Sequence, residues 1–175
     1  MPIFAHLGRA AATAATHAPL TAAVVAVATR LLVLGQSWAS NPLVRRPALD
    51  GFVYLTWAKD IADGDLLGRS GFVGGHPYFF NPLYAYVLAP FFRGVDLVGG
   101  ATHLAFDQVE QNLGALAPRV LAVLVFQALL GAATAALTAA AARRYFGAAA
   151  GLLAGLGVAL SHVLVQLDQH IAVSG

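Results

Sequence analysis

Long apolar segments with almost no charge are the feature that most constrains this chain. Residues 118–142 and 146–167 are rich in Ala, Leu and Val, and together they contain one formal charge, at Arg119. About 20 apolar residues are enough for a helix to cross the hydrocarbon core of a bilayer. Charged residues make up only 10% of the sequence, whereas a soluble domain carries about 25%. The chain is therefore predicted to be an all-α integral membrane protein.

A third apolar segment near the N-terminus, residues 18–35, follows a short tail, residues 1–17. It is just long enough to span the membrane, and we interpret it as the first transmembrane helix. A cleaved signal peptide is the alternative, because residues 37–39 resemble a small-x-small cleavage site. Arg30 lies inside the apolar run and favours the uncleaved helix.

The arginines predict how these three helices cross the membrane. Residues 143–145 form a short basic turn between the second and third helices, and short basic loops stay in the cytoplasm. Both flanking helices then end outside, and residues 168–175 begin an external segment. Arg9 places the N-terminal tail in the cytoplasm as well. Residues 36–117 are then one large external loop in a multi-pass protein of the inner (plasma) membrane.

Within this loop, the stretch DGFVYLTWAKDIADGD begins at Asp50 and has helical periodicity. We expect a juxtamembrane amphipathic helix that begins with Asp50 as its N-cap and ends at Gly64. The predicted apolar face consists of Tyr54, Trp57, Ala58 and Ile61. The predicted polar face consists of Thr56, Lys59, Asp60 and Asp63.

The rest of the loop gives weaker signals. Residues 40–50 contain two prolines and predict a turn-rich extended stretch. The apolar run 83–92 is too short to span and contains Pro90, which favours an interfacial or re-entrant segment. Residues 101–117 predict a second surface helix.

The order of these features resembles the GT-C fold membrane glycosyltransferases, a superfamily that includes protein O-mannosyltransferases and lipid A aminoarabinose transferases. The resemblance covers most of the chain, from Arg30 to Asp168. It includes basic residues at the end of the second helix and an acid, Asp168, at the end of the third. The motif positions in the first external loop are Asp50, Tyr54, Ala58, Ile61, Gly64, Asp65 and Pro82-Leu83-Tyr84.

The resemblance implies transfer of a sugar from a polyprenyl-phosphate donor to an acceptor on the outer face of the membrane. Members of the family are much longer and have many more spans. The resemblance therefore also implies that this chain corresponds to the N-terminal part of such a protein, which alone would lack most of the donor-lipid pocket and be inactive. Two positions differ from relatives with aminoarabinose donors: Gly51 stands where many members have Glu, and Asn81 where some have Lys.

The candidate catalytic residues are two carboxylates. Sugar transfer needs a group that accepts the proton of the acceptor hydroxyl, and Asp50 is predicted to be this general base. Alternatively, Asp50 holds a divalent metal ion against the departing phosphate, or it is only a helix N-cap. Asp168 is predicted as a partner acid or acceptor-site residue, and a solvated helix end is its alternative. Asp168 and His170 alone do not make a metal site.

Four further residues are predicted to contact substrate. Tyr54 would orient Asp50, His76 would line the cleft, and Tyr84 would flank the lipid chain or sugar ring. Arg30 would meet a lipid phosphate, because an intramembrane charge is costly and usually functional. The alternatives are interfacial tyrosines, a plain loop histidine, and an arginine that snorkels to the membrane surface.

Two other functions stay open. A transporter would use Arg30 and Asp168 in a polar pathway, but we find neither internal repeats nor interrupted helices in the sequence. A non-catalytic membrane scaffold would explain the Ala-rich helices but not the ordered motifs around Asp50. The expected partners are the lipid-linked sugar, an acceptor of unknown type and membrane lipids. A net charge of +2 gives no reason to expect nucleic acid.

Overall fold

A computed structural model describes residues 15–45, 50–67, 82–99, 113–168 and 171. These residues are almost entirely helical and contain no strand. In chain order the helices are α1 (Ala18–Ser40), α2 (Pro42–Arg45), α3 (Asp50–Ala62), α4 (Pro82–Gly99), α5 (Leu113–Phe146), α6 (Ala148–Leu160) and α7 (His162–Leu167).

Two helices are long and apolar enough to cross a membrane. They are Ala18–Ser40, with 23 residues, and the part of α5 from Ala117 to Phe146, with 30 residues. At about 1.5 Å per residue each exceeds the hydrocarbon thickness of about 30 Å. These helices contain the predicted spans 18–35 and 118–142, and both extend several residues beyond the predicted ends. Their length and composition favour a membrane protein.

The third predicted span, 146–167, is not one continuous helix. Its first part is α6, with 13 residues, and its second part is α7, with six. Ser161 lies between them with φ −60° and ψ 111°, an extended conformation that interrupts the helical hydrogen bonds. At about 20 Å, α6 is shorter than the hydrocarbon core. A third crossing of the membrane is therefore not confirmed. The sequence analysis did not predict the helix break at Ser161.

The turn after α5 lies later than predicted. Residues 143–145 are still helical, and the chain turns at Gly147, where φ is 92°. A residue with a side chain is strained at this φ, whereas glycine adopts it readily. A single glycine thus separates α5 from α6.

The first of two compact units comprises residues 1–36 and 125–169. Its core is built almost entirely from alanine, with valine and leucine packed around it. Small residues let membrane helices approach closely. A Cβ atom on Gly155 of α6 would lie 2.6 Å from the Ala22 Cβ of α1 and 2.7 Å from the Ala139 Cβ of α5. The three helices therefore meet where no larger residue fits. The buried alanines are Ala18, Ala22, Ala26, Ala132, Ala135, Ala139 and Ala159.

The second unit comprises residues 37–124 and 170–175. In it α3 packs against α4 through Trp57 and Ile61 on one helix and Ala85 and Ala89 on the other. Trp57 and Ile61 of the predicted apolar face thus pack against α4, and Leu55, outside that face, is buried as well. The predicted polar face is partly wrong, because Thr56 is buried. Burial is tolerated there since its hydroxyl donates a hydrogen bond to the Phe52 carbonyl at 2.9 Å.

The end of α3 agrees with the sequence. Gly64 has φ 109°, and the Asp65 N–H donates to the Asp60 carbonyl at 2.9 Å. The Gly64 N–H donates to the Ile61 carbonyl at 3.1 Å. These two bonds form a Schellman motif, which requires a residue with positive φ and explains why the helix stops at this glycine.

The described residues in the remainder of the predicted external loop are more helical than expected. Residues 42–45 form a single helical turn rather than an extended stretch. The run 83–92 belongs to α4, which has 18 residues, includes Pro90, and is not among the helices apolar enough to span. Of the predicted surface helix 101–117, residues 101–112 lie outside the described part of the chain, and residues 113–117 begin α5.

Candidate functional site

Arg30 and Asp168, which are 138 positions apart in the sequence, form an ion pair in the first unit. The Arg30 Nε lies 2.5 Å from the Asp168 Oδ2. The Arg30 side chain is 1% exposed and the Asp168 side chain 21% exposed. Arg30 therefore does not snorkel to the surface, although its position within the predicted span 18–35 allowed that. It lies near the middle of the longer α1, on the same buried face as Ala26 and Leu34.

The guanidinium has a second partner at the interruption of the third apolar segment. The Arg30 Nη1 donates to the Ala159 carbonyl at 3.2 Å. In a continuous helix this carbonyl accepts from the N–H four residues later, and the free carbonyls at a helix end carry partial negative charge. Arg30 thus places its positive charge beside the C-terminal end of α6.

The break at Ser161 explains how one guanidinium reaches both groups. In a straight helix, residues nine positions apart lie about 13.5 Å apart along the axis and on opposite faces. Ala159 and Asp168 are nine positions apart, yet both contact Arg30. The extended residue between α6 and α7 redirects the chain and brings the carboxylate to the guanidinium.

Gly131 of α5 makes room for the pair. A Cβ atom there would overlap with the Arg30 Nε and the Asp168 Oδ2, and it would lie 2.9 Å from the Arg30 Cζ. No residue larger than glycine fits without moving one of the charges. Three elements, α1, α5 and the broken α6–α7 segment, therefore converge on this ion pair.

A buried charge is costly unless it is paired and hydrogen-bonded. Arg30 meets this condition through one carboxylate and one carbonyl. Asp168 is the more accessible partner and the only one of the two that retains appreciable exposure. The arrangement fixes the position of a carboxylate and leaves it partly open to other molecules.

The second unit brings together two motif segments of the resemblance. The Tyr54 ring on α3 and the Tyr84 ring on α4 meet edge to face, with centroids 5.1 Å apart and an interplanar angle of 78°. Such pairs add about 0.5–1.5 kcal/mol beyond the burial of area. Asp50 is the first residue of α3, about one turn before Tyr54. The described backbone therefore places the Asp50 position at the helix end nearest this tyrosine pair.

Asp60, predicted on the polar face of α3, is half-buried. Its burial raises the pKa of the carboxyl group to about 6 from an ordinary value of 3.8, although nearby Lys59 opposes the shift. Asp65 and Asp63 add smaller upward contributions. Lys59 Nζ donates to Asp63 Oδ2 one turn away. Burial thus favours the protonated form of Asp60 in the folded protein.

Some predicted residues are not tested by this geometry. His76 lies outside the described residues, and of Asp50 only the backbone position is described. Among the residues that the structure describes, no group of three or more His, Cys, Asp or Glu side chains could hold a metal ion.

The sequence analysis assigned no role to two residues that the structure singles out, Arg119 and Gly131. Arg119 is 5% exposed, and its guanidinium lies over the Phe92 ring, 5.8 Å from the ring centroid. A charge at the start of an apolar segment was the available signal, the same one that singled out Arg30. Gly131 had no such signal, because nothing in the sequence distinguishes a glycine that contacts a charged pair from other glycines in Ala-rich helices.

Comparisons with known proteins add no assignment: no family model matches the chain, and neither a curated protein nor a solved structure matches it. The functional interpretation therefore depends on the residues themselves.

Proposed function

We propose that this protein is a membrane glycosyltransferase, which moves a sugar from a polyprenyl-phosphate donor to a hydroxyl acceptor on the outer face of the plasma membrane. The observation that supports this proposal best is the contact between Tyr54 and Tyr84. These residues belong to two motif segments 30 positions apart in the sequence. They meet on a helix pair that starts at Asp50, the predicted general base.

In this proposal the reaction is a displacement at the anomeric carbon. The acceptor oxygen forms a bond to that carbon as the bond from the carbon to the phosphate oxygen breaks. The Asp50 carboxylate accepts the hydroxyl proton, and the lipid phosphate leaves as an anion. General base catalysis of this kind contributes about 10²–10⁴-fold.

Arg30 and Asp168 have linked roles in the proposal. Because Arg30 is held by Asp168 and by the Ala159 carbonyl, its first role is to position that carboxylate. Asp168, held in place by Arg30, is then proposed to contact the acceptor. Contact between Arg30 and a lipid phosphate would require the phosphate to replace Asp168 as its partner.

The test is a transfer assay in membranes that contain the overproduced full-length protein that includes this sequence. Radiolabelled polyprenyl-phosphate sugars are supplied one at a time, and labelled product is separated from the lipid donor. Asp50→Asn is expected to lower the rate by at least about 100-fold. Asp63→Asn is the matched control, because it removes an exposed carboxylate from the end of the same helical segment. Equal rates for the two variants would refute the role of Asp50, and no transfer with any donor would refute the proposed activity.

One observation favours a second candidate, a transporter. Interrupted helices and buried intramembrane charges are features of transporter binding sites, and here an ion pair lies beside the break at Ser161. Solute uptake into proteoliposomes separates the two functions. A transporter would lose uptake in Asp168→Asn and keep it in Asp50→Asn, whereas a transferase would show no uptake in any variant.

A further inference from the structure

Two arginines and two aromatic residues end the second apolar span. We call residues 143–146 the basic–aromatic corner. Tyr145 is 75% exposed and Phe146 is 79% exposed, with ring centroids 6.4 Å apart. Both arginines are exposed as well. Large rings with this exposure would be unfavourable in water, and they do not pack into the core of their unit.

The basic–aromatic corner lies where α1 begins and α5 ends. The Arg143 Nη1 donates to the Thr16 carbonyl, two residues before α1 begins. This bond joins the start of the first candidate span to the end of the second, so both ends lie at one level. Gly147 then turns the chain into α6. The exposed rings therefore lie at the level where the first candidate span begins and the second ends.

The charged side chains of residues 140–150 are all basic. Arg143 is held by Thr16, and Arg144 has no hydrogen-bond or ion-pair partner among the residues that the structure describes. Residues 140–150 contain no acidic side chain. Aromatic side chains settle at the headgroup level of a bilayer, and basic side chains next to it attract anionic lipids.

We propose that the basic–aromatic corner binds acidic phospholipid headgroups in the leaflet that it faces. Arg144 contacts the headgroup phosphate, while Tyr145 and Phe146 anchor the corner between headgroup and acyl chain. This surface is independent of the proposed sugar transfer, because neither Asp50 nor the Arg30–Asp168 pair takes part in it.

The experiment is native mass spectrometry of the full chain from nanodiscs that contain equal amounts of phosphatidylglycerol and phosphatidylcholine. The wild type is expected to retain mainly phosphatidylglycerol. Arg144→Gln is expected to lower the ratio of the two retained lipids about five-fold, the usual contribution of one basic residue near an anionic surface. Arg93→Gln is the matched control, since Arg93 is also exposed but lies on α4, in the other unit.

A second variant tests the aromatic part. Phe146→Ser is expected to reduce retention of both lipids without changing their ratio, because the ring contributes apolar contact rather than charge. Added inorganic phosphate is expected to leave the ratio unchanged, since a free anion has no acyl chain to place beside the rings. An unchanged ratio in Arg144→Gln, an equal fall in Arg93→Gln, or full retention in Phe146→Ser would each overturn the proposal.

Discussion

Replacing Gly131 by alanine is predicted to break the Arg30–Asp168 ion pair while leaving both charged residues in place. The added Cβ atom overlaps with one atom of each partner. Separating the pair leaves Arg30, which is 1% exposed, without its carboxylate. Removal of one partner from a buried ion pair costs about 3–5 kcal/mol. The higher helix propensity of alanine offsets about 1 kcal/mol of this cost. We therefore expect the free energy of unfolding to fall by about 2–4 kcal/mol.

The assay is unfolding in detergent micelles by increasing mole fraction of SDS, followed by the helical circular dichroism signal. Gly157→Ala is the matched control, because Gly157 lies in α6 and a Cβ atom there meets nothing within 4 Å. The control is expected to be as stable as the wild type or slightly more stable. If Gly131→Ala proved as stable as this control, the close packing of Gly131 against the ion pair would be refuted.

The remaining predictions concern the same ion pair, the pH dependence of α3 and the alanine core. Asp168→Asn is expected to destabilise the protein more than Arg30→Met, because Asp168→Asn leaves a buried guanidinium without its carboxylate, whereas Arg30→Met leaves a carboxylate that is 21% exposed. The unfolding midpoints of the two variants are compared, and the reverse order would contradict the buried pairing. Burial raises the pKa of Asp60 from 3.8 to about 6. As the pH rises from 3.8 to about 6, ionisation of this carboxyl group therefore makes the folded state progressively less stable. Asp60→Asn is therefore expected to raise the Tm at about pH 7.5 and to lose this advantage towards about pH 4; a Tm difference that is independent of pH would exclude this carboxyl group as its source. Gly155→Leu is expected to separate α6 from α1 and α5 and to lower the Tm, and an unchanged Tm would contradict their close approach.

Much of the helical architecture could be predicted because it depends on local composition. The two long apolar helices follow from stretches rich in Ala, Leu and Val, and their cores were located correctly within 18–35 and 118–142. The end of α3 at Gly64 follows from the need for a residue with positive φ. Such features depend on neighbours in the sequence, so a reading of the sequence can find them.

Two of the predicted site residues, Arg30 and Asp168, form an ion pair, and this pairing could not be predicted from the sequence. Arg30 attracted attention because a charge in an apolar segment needs a reason. Its partner was assigned a separate role, since nothing in the sequence links two residues 138 positions apart. The break at Ser161 was also missed, because a serine within an apolar run is compatible with a continuous helix. The ion pair lies where α1, α5 and the α6–α7 segment meet, which the local sequence does not reveal.

Sidedness of the membrane is the measurement that tests the account most directly, because the proposed transferase requires residues 36–117 to be one external segment. The chain has no native cysteine, so single cysteines can replace Ser40, Ala101 and Ala148 in turn. Each variant is treated in intact cells with a membrane-impermeant maleimide. We expect labelling at positions 40 and 101 and protection at position 148 until the cells are permeabilised. Protection at position 101 together with labelling at position 148 would mean that the chain crosses the membrane between positions 40 and 101, which would contradict the proposed site on the outer face.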